Sequence, residues 1–150
     1  MPRVSAAATV PLGPEAATAA WRDPRRWGGF VEGFQRVEAQ TPDWPKEGAK
    51  VVWVSGPGGR GRVTEKVKSA APTAFGTLVY EDRLVGTQTF RAAENGGGSR
   101  VEVTLDYELT SESPLKGLTD LLFIRRALRD ALGRTLRRFA VEAEDEAGLR

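Results

Sequence analysis

The last third of the chain forms one long amphipathic segment, and this segment constrains the fold more than any other part of the sequence. At about 100° per residue, its main apolar residues fall on one stripe of a helix: Leu118, Leu121, Leu128, Leu132, Leu136 and Phe139. Ser113 suits the N-cap position and Pro114 the first helical position. From Leu118 to Glu146 such a helix would be about 40 Å long at ~1.5 Å per residue. An apolar stripe of this length needs a broad surface to cover.

The segments before this helix supply that surface, because most of them alternate between apolar and polar residues as strands do. The clearest alternation lies in residues 100–109, where one face carries Val101, Val103, Leu105, Tyr107 and Leu109. Strands are predicted over residues 3–12, 34–40, 50–55, 60–70, 75–82, 84–93 and 100–109, with short helices over 15–21 and 24–27. This order predicts an α+β fold in which the closing helix covers one face of a seven-stranded antiparallel sheet.

The residue types that are missing exclude several classes of function. The 150 residues suffice for one domain with one core, and we expect that domain to span residues 1–150. The net charge of only +2 argues against a dedicated nucleic-acid-binding protein. The chain has no cysteine and no histidine, which excludes Ser-His-Asp and Cys-His catalysis and removes the commonest ligands of transition metals. We therefore expect neither a metal nor a cofactor.

Two further features concern location and phosphate binding. No apolar run approaches the roughly 20 residues that a membrane-spanning helix requires, so we expect a cytoplasmic protein with no transmembrane segment. The loop at residues 56–61 has the glycine content of a phosphate-binding loop. It lacks the Gly-Lys-Ser/Thr ending of such a loop and does not open a helix. A hairpin turn is therefore the better interpretation.

Three segments and the order of the predicted elements resemble a known superfamily. The segments are GPEAATAAWRDPRRWGGF at 13–30, GRGRVTEKV at 59–67 and GGGSRVEVTLDYEL at 96–109, followed by the closing helix. Together they resemble the START-related superfamily, and within it the bacterial polyketide cyclase/dehydratase-like proteins. The resemblance covers essentially the whole chain. It implies the helix-grip fold: a seven-stranded antiparallel sheet wrapped around the long C-terminal helix, with two short helices after the first strand and a hydrophobic cavity between sheet and helix.

The implied cavity identifies candidate ligand-binding residues. By resemblance, Trp27 and Phe30 lie at its mouth, and one face of the predicted strands would line it. The full set of candidates is Trp27, Phe30, Trp53, Glu65, Tyr80, Gln88, Phe90, Tyr107, Leu121, Arg125 and Arg129. Tyr80 and Tyr107 would offer hydroxyls in an apolar wall, and Gln88 would be a polar anchor. The alternative for the aromatic residues is that they fill the core, and strand phase decides between the two.

Three charged residues stand among apolar ones. Glu65 shares a strand face with Val63 and Val67, so on an inward face it would be a buried carboxylate that needs a partner. Arg125 and Arg129 project into the apolar stripe of the closing helix, one turn apart. Each arginine has three alternatives: to reach solvent at the helix edge, to pair with a carboxylate such as Glu65, or to bind the acidic head of an amphiphilic ligand.

Two main function classes follow. The first is binding or transport of a hydrophobic small molecule, such as a lipid, polyketide or quinone, by a monomer or homodimer with no catalytic residue. The second is a polyketide aromatase/cyclase or dehydratase, in which Tyr80, Tyr107 and Arg129 orient or polarise carbonyls and Glu65 acts as acid or base. The missing catalytic groups favour the first. A weaker third class is a protein or RNA partner bound on a basic helix face, for which a solvated face is the simpler interpretation: Arg126, Arg134, Arg137 and Arg138.

Overall fold

The computed structural model describes residues 2–57, 59–110 and 117–148, without the side chains of residues 118 and 119. Its strands are β1 (Arg3–Val10), β2 (Phe34–Gln40), β3 (Lys50–Ser55), β4 (Arg62–Ala71), β5 (Ala74–Tyr80), β6 (Leu84–Asn95) and β7 (Gly98–Leu109). Its helices are α1 (Pro14–Trp21), a 3₁₀ turn (Pro24–Arg26), α2 (Trp27–Phe30) and α3 (Leu118–Glu146). The predicted α+β order is confirmed. The predicted cap Ser113 and the following Pro114 lie outside the described residues, and α3 begins directly after Gly117.

The seven strands form one antiparallel sheet in the order β1-β7-β6-β5-β4-β3-β2. Its longest pair joins β6 to β7, from Leu84 opposite Leu109 to Asn95 opposite Gly98. The connecting turn places Gly96 and Gly97 at positive φ angles of 57° and 90°, a region that glycine occupies without steric cost. One difference lies at α2, which continues through residues 28 and 29 where the sequence suggested an end.

The two halves of α3 pack differently. In the C-terminal half, Leu136 and Phe139 are buried. The Phe139 ring lies with its centroid 5.5 Å from that of Trp21, 5.0 Å from Phe30 and 5.9 Å from Phe90. Edge-to-face contacts of this kind favour a tightly filled core. The N-terminal half packs through half-buried residues, Ile124, Leu128 and Leu132, against a separate small cluster of Val4, Leu84, Leu105 and Tyr107. The helix therefore closes the core at one end and covers an incompletely filled interior at the other.

Candidate functional site

A cavity of about 370 Å³ lies where the N-terminal half of α3 covers the sheet. The helix contributes side chains at positions three and four residues apart, which places them on one face: Ile124, Ala127, Leu128, Ala131, Leu132 and Thr135. Alanine at 127 and 131 leaves room that larger residues would fill. The sheet and the first helices supply most of the remaining apolar wall: Trp21, Trp27, Trp53, Phe75, Val79, Leu84, Leu105 and Leu109.

A buried carboxylate interrupts this apolar wall. Glu65 is only 7% exposed and lines the cavity. Its Oε2 accepts a hydrogen bond from the indole Nε1 of Trp53 at 2.8 Å, and its Oε1 accepts one from the hydroxyl of Thr77 at 2.9 Å. Both donors are neutral, and no described lysine or arginine forms an ion pair with Glu65. Pairing of Glu65 with Arg125 or Arg129, one of the three alternatives for these arginines, does not occur among the described residues.

Glu65 belongs to a row of polar side chains that crosses three neighbouring strands of the sheet. Thr77 on β5 stands directly opposite Gln88 on β6, and Glu65 on β4 stands opposite Val79, two residues along β5 from Thr77. Side chains at such positions share one face of a sheet. Glu65, Thr77 and Gln88 all line the cavity. We call these three residues the inner polar row.

A second polar group lies at one end of the cavity, where the β3–β4 and β5–β6 loops meet. The Arg60 guanidinium stands 5.6 Å from the ring centroid of Trp53 and forms an ion pair with Glu81. The Glu81 side chain is 5% exposed, whereas that of Arg60 is 31% exposed. Arg83 also lines this end and has no ion pair with any described residue. Solvent therefore reaches the loop end, whereas Glu65 and Thr77 of the inner polar row are buried.

The segment between α2 and β2 closes the cavity against α3. The backbone N–H of Glu32 donates to the hydroxyl of Thr135 at 3.0 Å. The Glu32 carboxylate pairs with Arg134 at 3.1 Å and with Arg138 at 2.8 Å. Thr135 is buried, and both Glu32 and Thr135 line the cavity. Arg134 and Arg138 thus have a structural role in holding the α2–β2 segment.

The structure brings together four of the residues predicted for the site and disperses the rest. Trp27, Trp53, Glu65 and Gln88 line the cavity. Three others are buried outside the lining: Phe30, Phe90 and Tyr107. Four are exposed: Tyr80 at 45% and Leu121 at 46%, together with Arg125 and Arg129. That any of these residues binds a ligand stays a prediction.

The exposure of the two arginines corrects the prediction that they project into the apolar stripe. Counting about 100° per residue from Ile124, Arg125 lies about 100° and Arg129 about 140° around the helix. The helix turns Ile124 and Leu128 toward the sheet, which moves both arginines to the edge. Although its side chain is exposed, Arg125 still affects the buried Tyr107 electrostatically. Burial raises the pKa of the Tyr107 hydroxyl, and the positive charge of Arg125 partly opposes that rise.

Sequence reasoning missed several cavity residues. Arg60 was considered only as part of a glycine-rich turn, and Arg83 was not singled out. Thr77 was missed as well, because the apolar residues of β5 fit either strand phase; the structure buries it together with Phe75 and Val79. Among the described residues, no cluster of carboxylates is arranged to hold a metal ion. No described helix combines the length and apolarity needed to cross a membrane.

Comparison with solved structures supports the fold. A protein from Thermus thermophilus is 20% identical with a TM-score of 0.79, covering 97% of this chain and 99% of that chain. One part of StfQ, a di-domain ARO/CYC protein of the steffimycin biosynthetic pathway, is 12% identical with a TM-score of 0.78, covering 97% of this chain and 51% of that chain. A START superfamily protein from Mycobacterium smegmatis is 17% identical with a TM-score of 0.66, covering 97% of this chain and 95% of that chain. At these identities the likeness shows the fold alone.

Sequence comparison gives the family. No curated protein matches the chain by sequence. A family model described as polyketide cyclase / dehydrase and lipid transport matches residues 1–144, which include all three segments that carried the resemblance and nearly the whole of α3. This chain, whose sheet packs against a long helix with a cavity between them, therefore belongs to the polyketide cyclase / dehydrase and lipid transport family.

Proposed function

We propose that the protein binds an apolar small molecule, of lipid, polyketide or quinone type, in the cavity under α3, and that no reaction is required. The observation that supports this most is the cavity itself, with about 370 Å³ of space and a largely apolar wall. Cavities that bind small molecules usually measure about 300–1,000 Å³ and combine apolar walls with a few polar groups. An engineered apolar cavity of about 150 Å³ in another protein already binds benzene.

Filling the cavity tests this proposal. Ala131 lines the cavity on α3, and Ala19 is exposed on α1. Ala131→Phe and Ala19→Phe therefore add the same ring to a helix, with the same change in helix propensity. The probe is 2-methoxynaphthalene, an apolar two-ring molecule, titrated into the purified protein and followed by NMR. We expect saturable binding by the wild type and by Ala19→Phe, and an affinity at least tenfold lower for Ala131→Phe.

Two outcomes would oppose the proposal. If neither 2-methoxynaphthalene nor an alkyl probe such as dodecanol binds the wild type saturably, the cavity does not accept apolar molecules. If Ala131→Phe stays folded by circular dichroism and binds as the wild type does, the binding lies elsewhere on the protein.

A second candidate function is the cyclisation or dehydration of a polyketide-like substrate, and Glu65 is the observation that favours it. A carboxylate in an apolar cavity is suited to remove a proton next to a carbonyl. The predicted roles for Tyr80, Tyr107 and Arg129 have no support, because none of them lines the cavity. Incubation with a linear poly-β-ketone thioester and product analysis by mass spectrometry tests this function. Turnover by the wild type that survives in Glu65→Gln would remove Glu65 from the mechanism.

A further inference from the structure

We infer that the ligand presents a hydrogen-bond donor, a hydroxyl or an amine on an otherwise apolar body, to the inner polar row at Glu65. The inference rests on the proposed function, since it concerns which apolar molecule the cavity selects. The polar end of that molecule is thereby assigned to the buried Glu65 rather than to the arginines of the loop end.

The Glu65 carboxylate can accept more hydrogen bonds than its described partners donate. An ionised carboxylate has about four lone-pair sites and no donor of its own. Trp53 and Thr77 each donate one hydrogen bond, one to each oxygen. The remaining sites have no described donor, although Glu65 forms part of the cavity wall. A buried carboxylate is costly unless its acceptors are satisfied. A donor arriving from the cavity would satisfy them.

The described side chains near Glu65 do not supply that donor. The hydroxyl of Thr77 has a single hydrogen, which it already donates to Glu65. Arg60 forms its ion pair with Glu81 and not with Glu65. Gln88 makes no side-chain hydrogen bond to any described residue, and it lines the cavity on the strand next to Thr77. Its amide N–H₂ can donate to the oxygen of a ligand hydroxyl whose own hydrogen is donated to Glu65.

The charge on the polar group of a ligand decides which ligand classes suit the inner polar row. A ligand carboxylate placed beside Glu65 would meet a like charge in an enclosed site, where such repulsion is weakly screened. A hydroxyl or an amine would donate to Glu65, and a hydrogen bond to a charged acceptor is stronger than one between neutral groups. The inner polar row therefore favours alcohols, phenols and amines over acids, ethers and hydrocarbons.

Four naphthalene probes of similar size test this inference: 2-naphthol, 2-naphthylmethylamine, 2-methoxynaphthalene and 2-naphthoate. We expect the wild type to bind the naphthol, the amine or both about tenfold or more tightly than the methoxy ether, with naphthoate weakest. Which of the two donors binds tighter identifies the donor class. The comparison uses the unmodified protein, so it holds even if a variant fails to fold.

A variant locates the preference at Glu65. In Glu65→Gln, the amide oxygen still accepts from Trp53 and the amide N–H₂ donates to the Thr77 hydroxyl, so folding should persist. We expect this variant to lose most of the preference for 2-naphthol over the ether. Glu38→Gln removes an exposed carboxylate that pairs with Arg62 and should keep the preference.

The outcomes separate this inference from the proposed function. If no probe binds, the proposed function fails. If all four probes bind with equal affinity, or if naphthoate binds tightest, the protein is a binder of apolar molecules but the inference is wrong. If the preference persists undiminished in Glu65→Gln, the donor is recognised elsewhere and the assignment to Glu65 is overturned.

Discussion

Trp53 donates its indole N–H to the Oε2 atom of Glu65 over 2.8 Å, inside the protein. Trp53 is 1% exposed; its N–H edge meets this carboxylate, and the Arg60 guanidinium lies over its ring, 5.6 Å from the centroid. One side chain thus connects the inner polar row to the loop end of the cavity. A substitution of Trp53 should therefore affect both the inner polar row and the loop end.

Trp53→Phe should destabilise the protein because it removes one of the two donors to a buried carboxylate. A hydrogen bond to a charged group contributes about 1.5–3 kcal/mol. Trp44→Phe is the matched control, since its indole donates to the neutral backbone oxygen of Arg22 at 2.8 Å in a half-buried position, where about 0.5–1.5 kcal/mol is expected. Urea unfolding measures both. Equal losses in the two variants would mean that Glu65 is no stronger an acceptor than a backbone carbonyl.

Thr135→Val should loosen the segment between α2 and β2 without emptying the core. The substitution keeps the shape of the side chain but removes the oxygen that accepts from the Glu32 N–H, at a cost of about 1–2 kcal/mol. Amide hydrogen exchange should be faster at Glu32 than in the wild type. Glu32→Gln breaks exposed ion pairs worth about 0–1 kcal/mol and should accelerate that exchange less. Unchanged exchange in Thr135→Val would show that the ion pairs alone hold the segment.

Tyr107 should make stability fall in alkaline solution. Burial raises the pKa of its hydroxyl above the ordinary value of 10.0. Above pH 10.0 the unfolded chain releases this proton while the folded protein retains it. The contribution of Tyr107 to the free energy of unfolding is therefore fully present below pH 10.0 and is lost as the pH rises through the folded pKa.

Tyr107→Phe should flatten this alkaline decline and keep the packing of the ring. Tyr80→Phe, at an exposed position, is the control and should retain the decline. Arg125→Gln removes the charge that lowers the Tyr107 pKa and should extend the decline to higher pH. Unfolding curves from mildly to strongly alkaline solution measure all three variants. An undiminished slope in Tyr107→Phe would assign the decline to other groups.

Phe139→Ala should cause a large loss of stability, because this ring contacts Trp21, Phe30 and Phe90 and is 1% exposed. Loss of a buried phenylalanine ring costs about 3–5 kcal/mol. Phe123 lies on the same helix with 71% of its surface exposed, so Phe123→Ala should change stability by less than about 0.5 kcal/mol. Thermal unfolding compares the two. A small loss for Phe139→Ala would show that the C-terminal half of α3 is loosely packed.

The sequence was sufficient to predict the strand faces wherever one strand alternates along its whole length. In β7, Val101, Val103 and Leu105 are all buried as the alternation indicated. In β4 the alternation put Glu65 on one face with Val63 and Val67 but left the direction of that face open, and the structure buries all three. In β5 the signal failed, because Leu78, Val79 and Tyr80 are consecutive apolar or aromatic residues that fit either phase. The structure buries Val79 and exposes Tyr80.

The rotation of α3 could not be predicted for a similar reason. Leu121, Leu122, Phe123 and Ile124 are consecutive, so apolar residues occupy more than half of the helix circumference there. Contacts with the sheet determine that Ile124 and Leu128 face inward, and that choice turns Arg125 and Arg129 outward. The cavity volume depends on the same rotation, since it is the space that remains once both halves of α3 have packed. No local pattern encodes that space.

The most direct test of the account is to locate a bound probe by NMR, using backbone and methyl signals with 2-naphthol added to the wild type. The account predicts saturable shifts concentrated at Thr77, Gln88 and Ala131, with little change at the exposed Ala19. The same shifts should weaken in Ala131→Phe. Shifts confined to the exposed Leu121–Phe123 end of α3, with Thr77 and Gln88 unmoved, would contradict a binding cavity beneath the helix.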